Sequence, residues 1–218
     1  FFFMQELQYP FDAAWILKNR KKIKKALLAD GTTRFEKRIA VLGGSTTNDI
    51  VSILELFLLN MGIAPKFYQS EYAQYWQDAM FPNPELEAFA PDLIFIHTTT
   101  RNITAFPKDL SASKEEVDAA LEQQFQHFTQ MWERIQSVYH CPIIQNNFEL
   151  PLFRLLGNSE ASNPHGTVNF ITRLNCKFYE YAQSHTDFYI HDINYLSACY
   201  GLDAWSDPSY WYLYKYAL

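Results

Sequence analysis

The residues best placed to do chemistry follow short apolar runs. Arg38-Ile39-Ala40-Val41-Leu42 leads into Gly43-Gly44-Ser45-Thr46-Thr47-Asn48-Asp49. Two glycines allow a sharp turn and a close approach of backbone to a ligand. Ser45 falls where a strand gives way to a helix, beside exposed amides and the positive end of a helix dipole. That place suits an anion or a developing oxyanion. Gly43, Gly44 and Thr46 are candidate binding residues around it. The same residues also read as a plain helix start, with Thr46-x-x-Asp49 as a cap. A dinucleotide loop, a P-loop and a G-x-S-x-G elbow are excluded, because their glycines and lysine are missing and position 47 is Thr.

A second cluster follows Asp92-Leu93-Ile94-Phe95-Ile96-His97, in Thr98-Thr99-Thr100-Arg101-Asn102. Asn102 could donate an amide to an oxyanion. Arg101 could hold a carboxylate or phosphate. His97 is either a base or a core histidine. His191 ends another apolar run and is a further base candidate, with Lys215 a more distant one. No histidine stands with a Cys or carboxylate in a metal-ligand spacing, so neither a metal site nor a cofactor is expected.

The elements that must position these groups alternate. Apolar runs at residues 38–42, 65–68, 92–97, 141–145 and 187–191 read as strands. Helices are expected over residues 10–29, after the Gly43-Gly44 turn up to Gly62, over 114–139 and over 167–184. Ser113 and Glu116 form a capping box for the third of these. Residues 155–166 read as a polar loop. Strand–helix alternation predicts a three-layer α/β/α, doubly wound parallel sheet of about five strands. Ligands then lie beyond the carboxyl ends of the strands. The candidate stretches are therefore residues 43–49, 70–72, 97–102, 146–149 and 191–194.

Composition supports a folded body. Of 218 residues, 48% are hydrophobic and 19% charged, which excludes disorder. No apolar run reaches the length of a membrane span. Net charge is −6, although six basic side chains and no acid fall within residues 18–25. A nucleic-acid partner is excluded for the main body, since base is not spread over it. The basic stretch reads as a solvated helix face, or as a surface for an acidic partner. It sets residues 1–34 apart as a basic helical extension before an α/β domain at 35–218. Cys141, Cys176 and Cys199 show no C-x-x-C spacing, and no secretory signal is visible, so a cytoplasmic chain is expected. Both ends read as cut, from Phe1-Phe2-Phe3 to Tyr216-Ala217-Leu218.

Longer stretches carry a resemblance. They are Ala40-Val41-Leu42-Gly43-Gly44-Ser45-Thr46-Thr47-Asn48-Asp49-Ile50, Ile53-Leu54-Glu55-Leu56-Phe57-Leu58 and Asn83-Pro84-Glu85-Leu86. Pro91-Asp92-Leu93-Ile94-Phe95-Ile96-His97-Thr98 follows with Arg101-Asn102-Ile103, then Gly201-Leu202-Asp203-Ala204-Trp205 with Asp207-Pro208 and Trp211. Together they resemble the N-terminal domain of FkbH-like proteins. The resemblance implies an SGNH (GDSL-like) hydrolase fold of flavodoxin-like order, followed by a haloacid-dehalogenase phosphatase-like domain that this chain lacks. It implies esterase or acyltransferase chemistry. Some members place a glyceryl unit from a bisphosphoglycerate on an acyl carrier protein, which makes a carrier and the phosphatase-like domain the expected partners.

By the same resemblance Ser45 takes the place of the SGNH serine and Asn102 that of the oxyanion Asn. Asp207 takes the place of the triad Asp. Two departures stand out: Gly44 replaces the Asp of Gly-Asp-Ser, and Tyr210 replaces the His of D-x-x-H. A tyrosine is a poor base at neutral pH. Either His97 or His191 completes the site, or the domain is a degenerate module that docks a carrier or the phosphatase half. The aromatic group Trp205, Tyr210, Trp211, Tyr212, Tyr214 and Tyr216 is the candidate docking surface.

Overall fold

The computed structural model describes residues 4–107 and 109–214, the side chains of Tyr210, Trp211 and Tyr214 excepted. Lys215 and Tyr216, and the side chain of Tyr210, therefore lie outside what is described. In chain order the elements are α1 (Ala13–Ala29), β1 (Phe35–Gly43), α2 (Asn48–Asn60), β2 (Ile63–Gln69), α3 (Tyr75–Met80), α4 (Pro84–Phe89) and β3 (Leu93–His97). Then come α5 (Lys114–Tyr139), β4 (Ile143–Asn146), α6 (Thr167–Ser184), β5 (Phe188–His191), α7 (Ile193–Tyr200), α8 (Leu202–Trp205) and α9 (Pro208–Tyr214). The five strands pair in parallel in the order β2-β1-β3-β4-β5. The order reverses between β1 and β3, and the carboxyl ends of strands at such a reversal leave a crevice.

Alternation along each strand assigns the two faces. Ala40, Leu42, Ile94 and Ile96 join the core under α3 to α6. That core holds much of the aromatic load. Trp132, Phe128, Phe148 and Phe178 are fully buried; Phe128 stacks on Trp132 and the other pairs meet edge-on or tilted. Burying such a ring contributes about 1.5–3 kcal/mol. The helix pair α5 and α6 supplies Phe128, Trp132 and Phe178 to this packing. The capping box of α5 forms as expected, Glu116 N donating to Ser113 Oγ at 3.2 Å and Ser113 N to Glu116 Oε2 at 2.6 Å.

Ile39, Val41 and Phe95 face the opposite side, toward α2. There α1 packs across α2 through Ile16, Ile23 and Leu27 against Leu56 and Leu59. Arg20 pairs with Asp49 at 2.9 Å and Lys24 with Glu55 at 2.7 Å. The remaining lysines of the basic stretch, Lys18, Lys21, Lys22 and Lys25, are exposed.

One expectation needs correction. The Thr46-x-x-Asp49 cap does not form: α2 begins at Asn48 behind Thr47, and no side chain caps it. Thr47 Oγ1 instead accepts from Gln69 Nε2 at 2.9 Å, and Asp49 is held by Arg20. These long-range partners win over a local cap. The expected polar loop at residues 155–166 is present, and Glu160, buried within it, organises it. Its carboxylate accepts from Leu156 N and Val168 N, both at 3.1 Å. The short helices α3, α4 and α7 to α9 were not expected, since one or two turns are too brief to display a period.

Candidate active site

The site is built where β1 and β3 end side by side. Gly43 pairs with His97 in the register, and Gly44 N donates to His97 O at 2.9 Å. A side chain on Gly43 would meet Thr47 Cγ2 at 2.8 Å, so glycine lets the turn fold against the start of α2. A side chain on Gly44 would meet Asn102 Cγ and Nδ2 at 2.5 Å. Asn102 is thereby drawn against the backbone of Gly44. It donates from Nδ2 to Gly44 O at 3.2 Å and accepts at Oδ1 from Thr99 N at 2.9 Å. Its first task is to clamp the two strand-end loops together.

Ser45 is buried beside this clamp, and among the described residues no group bonds its Oγ. His97 is buried at the end of β3, and its Nδ1 is likewise without a partner. Burial, and secondly the neighbouring His191, push the His97 imidazole down to about 4, so it is neutral at pH 7. Its ring stands edge-on to Phe95 with centroids 5.7 Å apart, and His191 approaches Phe95 at the same distance. Both imidazoles thus occupy one end of the same sheet face.

His191 is oriented by a second residue. Its Nδ1 lies 2.8 Å from Asn146 Oδ1. Asn146 Nδ2 donates to Thr98 O at 3.4 Å, which fixes the amide with its oxygen toward the ring. That oxygen can only accept, so the Nδ1 of neutral His191 carries the proton and its Nε2 keeps a lone pair. Burial pushes this imidazole down as well. Beyond it, Glu149 receives a hydrogen bond from Thr100 Oγ1 at 3.0 Å. Its carboxyl is pushed up by burial, against the opposing pull of its hydrogen bonds and of Arg101.

The two imidazoles open on a cavity of about 750 Å³, which Ser45 and Asn102 do not line. Thr46, His97, Asn146, Glu149 and His191 all line it. The sheet forms its floor, α2 one wall, and Ile193 and Leu196 of α7 the other, with Trp205 at the rim.

The sequence candidates are placed as follows. Gly43, Gly44, Ser45, Thr46, His97 and Asn102 gather at the adjoining ends of β1 and β3. Arg101 is exposed, with its guanidinium 5.9 Å from the centre of the Tyr212 ring. Asp207 is exposed at the start of α9, where it accepts from Ser209 N at 2.9 Å and Ser209 Oγ at 2.6 Å. Ser70 donates to Asp78 at 2.7 Å and so braces α3. Asn146 and Glu149 had been assigned no role. Their position just after a strand was the signal that marks them. Among the described residues, no group of three or more His, Cys, Asp or Glu side chains could hold a metal ion, and no helix is long and apolar enough to cross a membrane.

The family model of the FkbH N-terminal domain matches residues 38–218. The chain belongs to this family. No curated protein matches. Among solved structures, the FkbH domain is similar to the N-terminal part of a Bacteroides fragilis protein containing a phosphatase domain, complexed with Mg. The TM-score is 0.76 at 18% identity, over 91% of this chain and 51% of that one. The FkbH domain thus spans about half the length of that relative, and the likeness is one of fold. A GDSL-like lipase from Bacteroides thetaiotaomicron aligns at TM-score 0.42 and 15% identity, over 81% of this chain and 78% of the lipase.

Proposed function

We propose that this FkbH domain is an SGNH-like acyl-handling domain in which Ser45 takes up an acyl or glyceryl group during loading of an acyl carrier protein. One observation carries the reading: Ser45 Oγ and His97 Nδ1 are both buried and both unpaired, at adjoining strand ends. Each such group costs about 1–3 kcal/mol when left without a partner. A substrate that engages them returns that energy, and two such groups at adjoining strand ends are candidates for a catalytic role.

The chemistry follows from the residues. A neutral imidazole, His97 or the Asn146-oriented His191, takes the Ser45 proton as Oγ bonds to the carbonyl carbon. The oxyanion is received by the amide of Ser45 and by the second N–H of Asn102. Collapse expels an alcohol or thiol, which leaves with the proton. Water or the carrier thiol then reverses the sequence. The domain needs no metal or cofactor for this. The exposed lysines of α1 suit an acidic carrier, and the following phosphatase-like domain is the second partner. The unpaired cysteine spacing and this carrier chemistry favour the cytoplasm.

Ser45→Ala should lower acyl release from model esters and carrier thioesters by at least about a thousandfold. Unchanged turnover would remove Ser45 as nucleophile. A second reading, a degenerate module that docks the carrier, is favoured by the lack of any base bonded to Ser45 Oγ. It predicts carrier binding without turnover.

A further inference from the structure

The cavity beside His97 has a direction. Its polar groups, from Thr46 and Asp49 at the start of α2 to His97–Thr99, Asn146, Glu149 and His191, sit at the carboxyl ends of the strands. The rest of it is apolar and runs back along the sheet. Leu93, Phe95 and His97 alternate onto this face of β3, with Ile39 beside Leu93 and Ile144 beside Phe95 in the register. Four residues of parallel strand span about 13 Å. The facing wall of α2 presents Ile50, Leu54 and Leu58, a ridge at steps of four. Eight residues of helix span about 12 Å. Strand and helix therefore agree on the length of the trough.

A glyceryl unit is small and polar and leaves such a trough unfilled. A linear hydrocarbon fits it. With a carbon–carbon bond of about 1.52 Å and an angle of about 111°, an extended chain advances about 1.25 Å per carbon. A trough of about 12–13 Å then takes about ten carbons. The head of such a chain lies among the imidazoles, where the buried Nδ1 of His97 still wants a partner.

We infer that the trough between the sheet, α2 and α7 is an acyl-chain site that accepts a linear aliphatic thioester or ester of about ten carbons, with its carbonyl at the His97 end. The inference rests on the acyl-handling reading and narrows its substrate class from glyceryl or acyl to a medium-length aliphatic acyl group.

The test measures binding apart from turnover. S-acyl pantetheines of increasing chain length are titrated calorimetrically into the Ser45→Ala chain. Affinity should rise about fourfold per methylene and level off near ten carbons. Leu54→Trp fills the trough midway along the α2 ridge. It should bring the plateau down to about five carbons, since four helical residues cover about 6 Å, and leave short chains bound as before. Leu58→Ala should move the plateau to longer chains, and it serves should the tryptophan variant not fold. Affinity independent of chain length, or a plateau that neither variant moves, overturns the inference. Chain-length-independent binding with Ser45-dependent turnover of acetyl or glyceryl esters sinks the aliphatic site and keeps the acyl-handling reading. The ruler behaviour with Ser45-independent turnover does the reverse.

Discussion

Gly44→Ala tests whether the site is held by a single close contact. The new Cβ would lie 2.5 Å from both Cγ and Nδ2 of Asn102. Gly44 has no positive φ, so alanine can adopt its backbone and the cost is contact alone. Asn102 must withdraw, which breaks its bonds to Gly44 O at 3.2 Å and from Thr99 N at 2.9 Å. Overpacking of this kind costs about 1–3 kcal/mol and each lost hydrogen bond about 0.5–1.5 kcal/mol. We expect a loss of about 3 kcal/mol, or a fall in Tm of about 6–12 °C for a chain of this size. The decisive assay is a double-mutant cycle by urea unfolding with Asn102→Ala. That variant leaves Thr99 N unbonded and should itself cost about 1–3 kcal/mol. In its background, however, Gly44→Ala has nothing to strike and should cost under about 1 kcal/mol, a coupling of about 2 kcal/mol. Equal costs of Gly44→Ala in the two backgrounds would refute the clamp.

Two further expectations follow from buried groups. His97 titrates at about 4 when folded and at about 6.5 when unfolded, so between those values the unfolded chain binds the proton first. Stability is full above about pH 6.5 and declines as pH falls, by about 2 kcal/mol at pH 5 and about 3 kcal/mol at pH 4. His97→Gln should flatten this part of the profile, and a variant with the same acid slope would show that other groups produce it. Glu160→Ala removes the acceptor of Leu156 N and Val168 N and should cost about 2–4 kcal/mol by denaturant unfolding. Glu160→Gln keeps one acceptor oxygen and should fall between, so equal losses would argue against the hydrogen bonds as the cause.

Much of the fold was legible because its signals are periodic. All five strands were marked by apolar runs. Helix α5 declared itself through a capping box and apolar positions at steps of three and four, and its expected bounds coincide with those observed. Residues at strand ends were legible as candidates because parallel sheets carry ligand crevices there. Asn146 and Glu149 received no role, because an amide that orients a ring across 45 positions leaves no local trace.

The sequence by itself determined the alternation of strands and helices, the family, and the short list of polar residues at the strand ends. Each of these depends on local spacing or on residue identity. Only the tertiary structure decided how those polar residues divide their work. It made Asn102 a clamp before anything else, because the missing Cβ of Gly44 lets the two loops touch. It put His97 and His191 edge-on to one phenylalanine and, among the described residues, left Ser45 Oγ and His97 Nδ1 buried without partners. It also set Asp207 at an exposed turn, bonded to Ser209. Burial and pairing are properties of groups that meet across the chain, and local spacing does not encode them.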